Sequence, residues 1–182
     1  MKVRLTALTA IVAGLFLAAS CSKELQNTYA TQETYIDAIV SSLTASADSA
    51  TVTSNKGTIR VTVGHGSGEE LREGGAVSFY YAGYYIKGRT LSRDNLFATN
   101  YDDFAGSIGW NVSDSSRFRI MTVDLARDGI ITGLRNGLEG VRAGEECYVL
   151  FSGKYAFGKQ AAGLVPGKSA LAYRLWIKSI SN

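Results

Sequence analysis

Downstream of residue 57 the chain offers several alternating strands but one short amphipathic helix, and that imbalance limits the possible folds most. Ile59, Val61 and Val63 alternate with polar neighbours, the period of a half-buried strand. AVSFYYAGYYI (76–86) puts Val77, Phe79, Tyr81 and Tyr85 on one face and Ser78, Tyr80, Ala82 and Tyr84 on the other. Aromatic residues on both faces predict one face toward a core and one toward a cleft or cover. RFRIMTV (117–123), CYVLF (147–151) and ALAYRLWIKSI (170–180) supply three further strands. The helical spacing falls at Leu134, Leu138 and Val141, with Gly144 as the expected stop. A sheet with one such helix buries both apolar surfaces by wrapping around it. The expectation is an α+β domain of about five antiparallel strands on one helix.

The intervening segments exclude several chemistries. The loop GHGSGEELREGG (64–75) lacks the terminal Gly-Lys-Ser/Thr of a phosphate cradle, so its glycines read as turn formers and His65 as a surface residue. Residues 87–117 read as irregular, and Asp102-Asp103 as a solvated loop pair rather than an acid/base couple. No G-x-S-x-G elbow occurs. One His and two Cys cannot assemble a closed zinc or iron–sulfur site, so neither a metal nor another cofactor is expected. The net charge of +3 includes Lys2 and Arg4 of the leader, and no basic stripe marks a nucleic-acid partner. Cys147, in an apolar strand pattern, reads as a small core hydrophobe.

The N-terminus speaks to location. MKVRLTALTAIVAGLFLAASC (1–21) has a basic start and an apolar run too short to span a bilayer, the form of a secretory signal. Its ending, Leu17-Ala18-Ala19-Ser20-Cys21, resembles a bacterial lipobox, although Ala18 stands where Leu is preferred and Leu17 lies one place earlier. The resemblance implies a signal peptide over 1–20, an acyl (palmitate-type) lipid on Cys21, and a lipoprotein in the bacterial cell envelope, at the outer membrane or the periplasmic face. The alternative is an ordinary signal peptide with a Cys nearby by chance. Residues 21–56 are expected to hold a polar tether (22–30), an amphipathic helix capped by Thr31 and carrying Ile36, Ile39, Val40 and Leu43, and an unstructured connector. The short apolar stripe favours docking of that helix on the domain.

The order GSGEELREGGAVSFYYAGY, Lys87-Gly88, LFATN, Ile130-Ile131 with Leu134, KYAFG and VPGKSALAY resembles FKBP-type peptidyl-prolyl isomerases over residues 57–182. The resemblance implies an FKBP-like antiparallel half-barrel around the short helix, here with an extra N-terminal helix. It also implies a proline pocket built from Tyr81, Phe97, Phe118, Ile130, Ile131, Leu134, Phe157, Val165 and Tyr173. Ile131 would offer its backbone N–H to a substrate carbonyl, Leu134 would form the floor, and 158–168 would overhang as a flap stiffened by Pro166. Three positions depart from the family pattern: Ala98 replaces an Asp, Leu134 a Trp and Phe157 a Tyr. The implied function is a membrane-anchored, monomeric isomerase helping exported proline-containing polypeptides to fold. The alternative is an FKBP-fold binding module or chaperone with little or no turnover. A small lipoprotein of unrelated β fold, such as an adhesin or assembly subunit, is the third reading.

Overall fold

The computed structural model describes the backbone of residues 4–182 and the side chains of residues 23–182. The signal-peptide and Cys21 lipidation readings lie outside the residues whose side chains are described. The chain opens with helix α1 (Arg4–Ala45), followed by β1 (Thr51–Asn55), β2 (Thr58–Gly64), β3 (Ser67–Glu70) and β4 (Ala76–Ile86). Next come β5 (Leu96–Thr99), α2 (Asp102–Ser107), β6 (Met121–Asp124) and α3 (Thr132–Leu138). β7 (Arg142–Ala143), β8 (Glu146–Phe151) and β9 (Ala170–Ser181) complete it.

Seven strands form one antiparallel sheet in the order β1-β2-β8-β9-β4-β5, with β6 pairing beside β5 on the same edge of β4. The long β4–β9 pair is its spine, and a register shift at Ser78/Phe79 helps it bend. The inner face carries Val77, Phe79, Val149, Phe151, Leu171 and Leu175, packed on Leu134 and Leu138 of α3. The sheet wraps its one inner helix, as expected from the strand-to-helix imbalance. Close approach depends on Gly133 and Gly137: a Cβ at either would lie 2.2 Å from Phe151 or Val149. The outer face, with Val61, Ala82, Ile86, Leu150 and Ala172, is covered by Ile36 and Ile39 of α1 and by Phe104, Ile108 and Trp110.

Several local expectations are corrected. α1 does not begin at Thr31: that hydroxyl donates to the Asn27 carbonyl (3.0 Å) within the helix. Residues 22–31 contain neither Gly nor Pro, so nothing interrupts the helix, and residues 23–31 lie exposed or half-buried along it rather than forming an irregular tether. The supposed connector contains β1, whose largely exposed residues show no alternation because neither face is buried. A two-residue turn at Lys56-Gly57, both at positive φ (46° and 81°), returns it into β2. α3 ends at Leu138, where Gly140 at φ 79° turns the chain; Gly144 serves the later β7–β8 turn. The 117–123 strand is confined to its last residues, since Ser115–Arg117 form a 3-10 turn. Asp102-Asp103 opens α2 rather than lying in an irregular loop.

Candidate functional site

A small hollow of about 120 Å³ opens between the inner face of the sheet and the first turn of α3, lined by Phe79, Tyr81, Phe97, Met121, Leu134 and Tyr173. Period two on β4 puts Phe79 and Tyr81 on this face, and Tyr173 projects beside them from β9. Phe97 arrives from β5 across Gly83, where a Cβ would come within 2.6 Å of its ring. Glycine at 83 is therefore what lets that ring lie flat on the sheet. Tyr173 is the hub: its ring centre is 5.9 Å from Phe97, 6.0 Å from Tyr81 and 6.1 Å from Phe151. Such edge-on and offset contacts fix ring positions as well as adding buried area.

The rim of β4 is held by polar contacts. Tyr81 donates its backbone N–H to Oδ1 of the buried Asn100 (2.6 Å), and its carbonyl accepts from the Thr99 hydroxyl (2.6 Å). Asn100 also donates to the Arg119 carbonyl (2.9 Å), tying the strand to the start of β6. Burial pushes the Tyr81 and Tyr173 hydroxyls above the ordinary phenol range, with Tyr81 adding to the shift at Tyr173. Both stay protonated at neutral pH, and neither has a hydrogen-bond partner among the described residues. The hollow thus combines an apolar wall with two neutral donors and no general base.

Of the residues implied by the family resemblance, Tyr81, Phe97, Leu134 and Tyr173 line this one hollow. Ile130 and Ile131 are half-buried against the same core, and Val165 is buried in it. The Ile131 N–H, just ahead of the first turn of α3, meets no acceptor among the described residues, as helix starts leave such donors open. Phe157 is instead 36% exposed on the 153–169 loop and does not line the hollow. Phe118 is half-buried but ends the 3-10 turn before β6, so Met121, at the start of that strand, forms the wall. Phe79 and Met121 were missed as lining residues. Period two could have found Phe79, which shares a face with Tyr81; for Met121 the displaced strand start hid the signal.

Among the described residues no cluster of three or more His, Cys, Asp or Glu could hold a metal ion. His65 is exposed and its Nε2 pairs with the Ser49 carbonyl (2.7 Å). Cys147 is fully buried, and burial followed by the neighbouring Glu145 pushes its thiol up, so it stays an unreactive core group.

The inner helix thus floors a ring-lined hollow whose volume of about 120 Å³ is smaller than the roughly 300–1,000 Å³ usual for small-molecule and cofactor sites. Residues 68–178 match the family of FKBP-type peptidyl-prolyl cis-trans isomerases, and the chain belongs to that family. Solved structures agree on the fold. FkpA from Escherichia coli aligns with a TM-score of 0.55 at 18% identity, over 100% of this chain and 74% of FkpA. A peptidyl-prolyl cis-trans isomerase from Pseudomonas syringae pv. tomato gives 0.58 at 16%, over 86% of this chain and 96% of its own. The N-terminal domain of FKBP42 from Arabidopsis thaliana gives 0.54 at 13%, over 72% and 93%. No curated protein matches the chain in sequence.

Proposed function

We propose that this protein is a peptidyl-prolyl cis-trans isomerase, lipid-anchored through Cys21 at a bacterial envelope membrane, that assists the folding of exported polypeptides. The observation that carries the catalytic part is the hollow itself: rings from three strands around a space of about 120 Å³, with neutral donors and nothing to move a proton. Rotation about a prolyl bond needs no proton transfer. Its barrier of about 18–20 kcal/mol comes from amide resonance lost as the bond twists. A water-poor hollow withholds the hydrogen bonds that stabilise the planar, polar amide, and so favours the twisted form. The Ile131 N–H can fix a flanking carbonyl, while the phenols of Tyr81 and Tyr173 can hold the peptide at the mouth.

The test is the exchange rate of a short Xaa-Pro peptide, followed by magnetisation transfer. We expect acceleration at micromolar protein, and its loss in Tyr173→Ala. No acceleration at that concentration overturns the reading. The anchor rests on the leader and Cys21 alone. Mass spectrometry of the mature N-terminus should find a lipidated Cys21, and Cys21→Ser should release the protein from membranes; an unmodified terminus sinks the anchor without touching the hollow.

A binding module with little turnover is the second reading, favoured by Ala98, Leu134 and the outward Phe157. Losing one well-placed donor from such a site costs about 2–4 kcal/mol of transition-state stabilisation. Restoring Asp, Trp and Tyr at these three positions separates the readings: a large gain in turnover favours the module, and unchanged turnover removes it.

A further inference from the structure

We infer that Gln32, on the N-terminal helix outside the family-matched region, is a positioning residue for the site: its amide ties the two ends of the 153–169 loop together and holds that loop against the core that Leu134 and Tyr173 share with the hollow. This rests on the isomerase reading above. Gln32 is buried, 8% exposed, in a helix whose neighbouring residues Thr31 and Glu33 are exposed. Its Oε1 accepts from the Gly153 N–H (2.9 Å), at the start of the loop. Its Nε2 donates to the Lys168 carbonyl (2.5 Å), at the end of the loop. The partners lie 121 and 136 residues away in sequence, so the contact is wholly tertiary. An exposed Glu24–Lys168 ion pair (3.8 Å) reinforces the same junction.

The junction is tight. Lys168 stands at positive φ (63°) and donates its N–H to the Gly158 carbonyl (2.6 Å), while a Cβ at Gly153 would fall 2.5 Å from the Lys168 carbonyl. Farther out, Ala162 and Val165 bond each other reciprocally (2.9 and 3.0 Å). Val165 then enters the core shared by Leu134 and Tyr173, and Ala156 packs on the same core. The loop is therefore held by its apolar tip on one side and by one side-chain amide on the other. The amide, with one acceptor and one donor end, satisfies both partners at once at any pH. A carboxylate accepts from Gly153 but repels the Lys168 carbonyl, and an apolar side chain does neither.

The full chain is tested with Gln32→Met and Gln32→Glu, and with Thr31→Ala as a control on the exposed surface. For Gln32→Met, KM for a proline peptide should rise about five-fold with kcat nearly kept, the scale of one buried hydrogen bond lost from substrate positioning. Exchange protection at Gly153 and across 154–168 should fall, while that of α3 stays. Gln32→Glu should retain Gly153 protection yet show the raised KM at pH 8. As pH falls and the introduced carboxyl takes up a proton, it regains a donor, and its KM relative to the unsubstituted protein should return. Native KM in both variants, with native loop exchange, overturns the inference. So does a raised KM in Gln32→Glu that ignores pH, which marks a merely structural contact. Should Gln32→Met fail to fold, the pH response of Gln32→Glu decides alone. Should the unsubstituted protein show no turnover, the isomerase reading fails, and loop exchange in the same variants still decides the tie.

Discussion

Arg60→Met is the most searching single change, because the structure makes its cost calculable. Arg60 is 9% exposed on β2, facing the end of α3. Its Nη1 donates to the carbonyls of Gly137 (2.9 Å) and Glu139 (2.6 Å), and its Nη2 to that of Gly140 (3.3 Å). A guanidinium there meets the carbonyls a helix leaves open at its C-terminus and complements the negative end of its dipole. Nε lies 3.4 Å from Oε1 of Glu145, itself only 4% exposed, without hydrogen-bond geometry, so that contact is purely coulombic. Met keeps the length but strands the carboxylate, and a buried charge that loses its partner costs about 3–5 kcal/mol. The low end is expected, because Glu145 keeps the Thr62 hydroxyl (2.9 Å) and the Arg142 N–H (3.0 Å). For a domain of this size that lowers Tm by roughly 6–20 °C. Urea unfolding measures the loss directly, and a paired Glu145→Leu should recover much of it. A cost below about 1 kcal/mol, or no recovery in the double variant, refutes the argument that this pair locks α3.

Four other outcomes are expected. Gly137→Ala should destabilise, since a Cβ 2.2 Å from Val149 implies overpacking of about 1–3 kcal/mol against a helix-propensity gain of about 1 kcal/mol; denaturation midpoints no lower than native refute the tight seating of α3. Stability should decline above pH 10. Burial, then Tyr148, pushes Tyr84 up to about 12, and a raised folded value means stability present below the unfolded phenol's 10 and lost as pH climbs through about 12. A pH titration of the unfolding free energy, flat from 10 to 12, would contradict this. Isomerase kcat/KM should be flat between pH 6 and 9, because both phenols of the hollow remain protonated throughout; a bell-shaped profile would require a titrating group that the hollow does not contain. Phe97→Ala should cut kcat/KM by about ten-fold or more through lost ring contacts, while leaving α1 docked by exchange.

Period two in 76–86 assigned both faces of β4 correctly, and the scarcity of helices fixed which way the sheet had to curl. Both are strong because burial on one face leaves a repeat in the chain. The polar members of β2 show the limit of that signal. Thr58, Arg60 and Thr62 look solvent-facing in an alternating strand, yet all three are buried against α3 and the β7–β8 turn, with the two hydroxyls and the Arg60 Nη atoms bonded there. No local pattern distinguishes a polar residue that meets water from one that meets a helix terminus. Phe157 and Phe118 failed for a related reason. Motif order gave their neighbourhood, but the aim of a side chain on a loop or a 3-10 turn depends on backbone angles that no periodicity encodes. Gln32 was illegible too, since its partners lie more than a hundred residues away.

The outer face of the sheet gives the N-terminal helix a role that the family match over 68–178 leaves out. Ala82, Ile86, Leu150, Ala170 and Ala172 are apolar and buried there only because Ile36 and Ile39 and the 101–110 segment cover them. A sheet with one inner helix satisfies its inner face alone, so a chain carrying apolar residues on both faces must provide a second cover. α1 is that cover over β2, β4 and β8, and through Gln32 it also reaches the 153–169 loop. Cover and loop tie therefore lie along one continuous helix. A displacement of α1 would expose the outer apolar surface and loosen the site together.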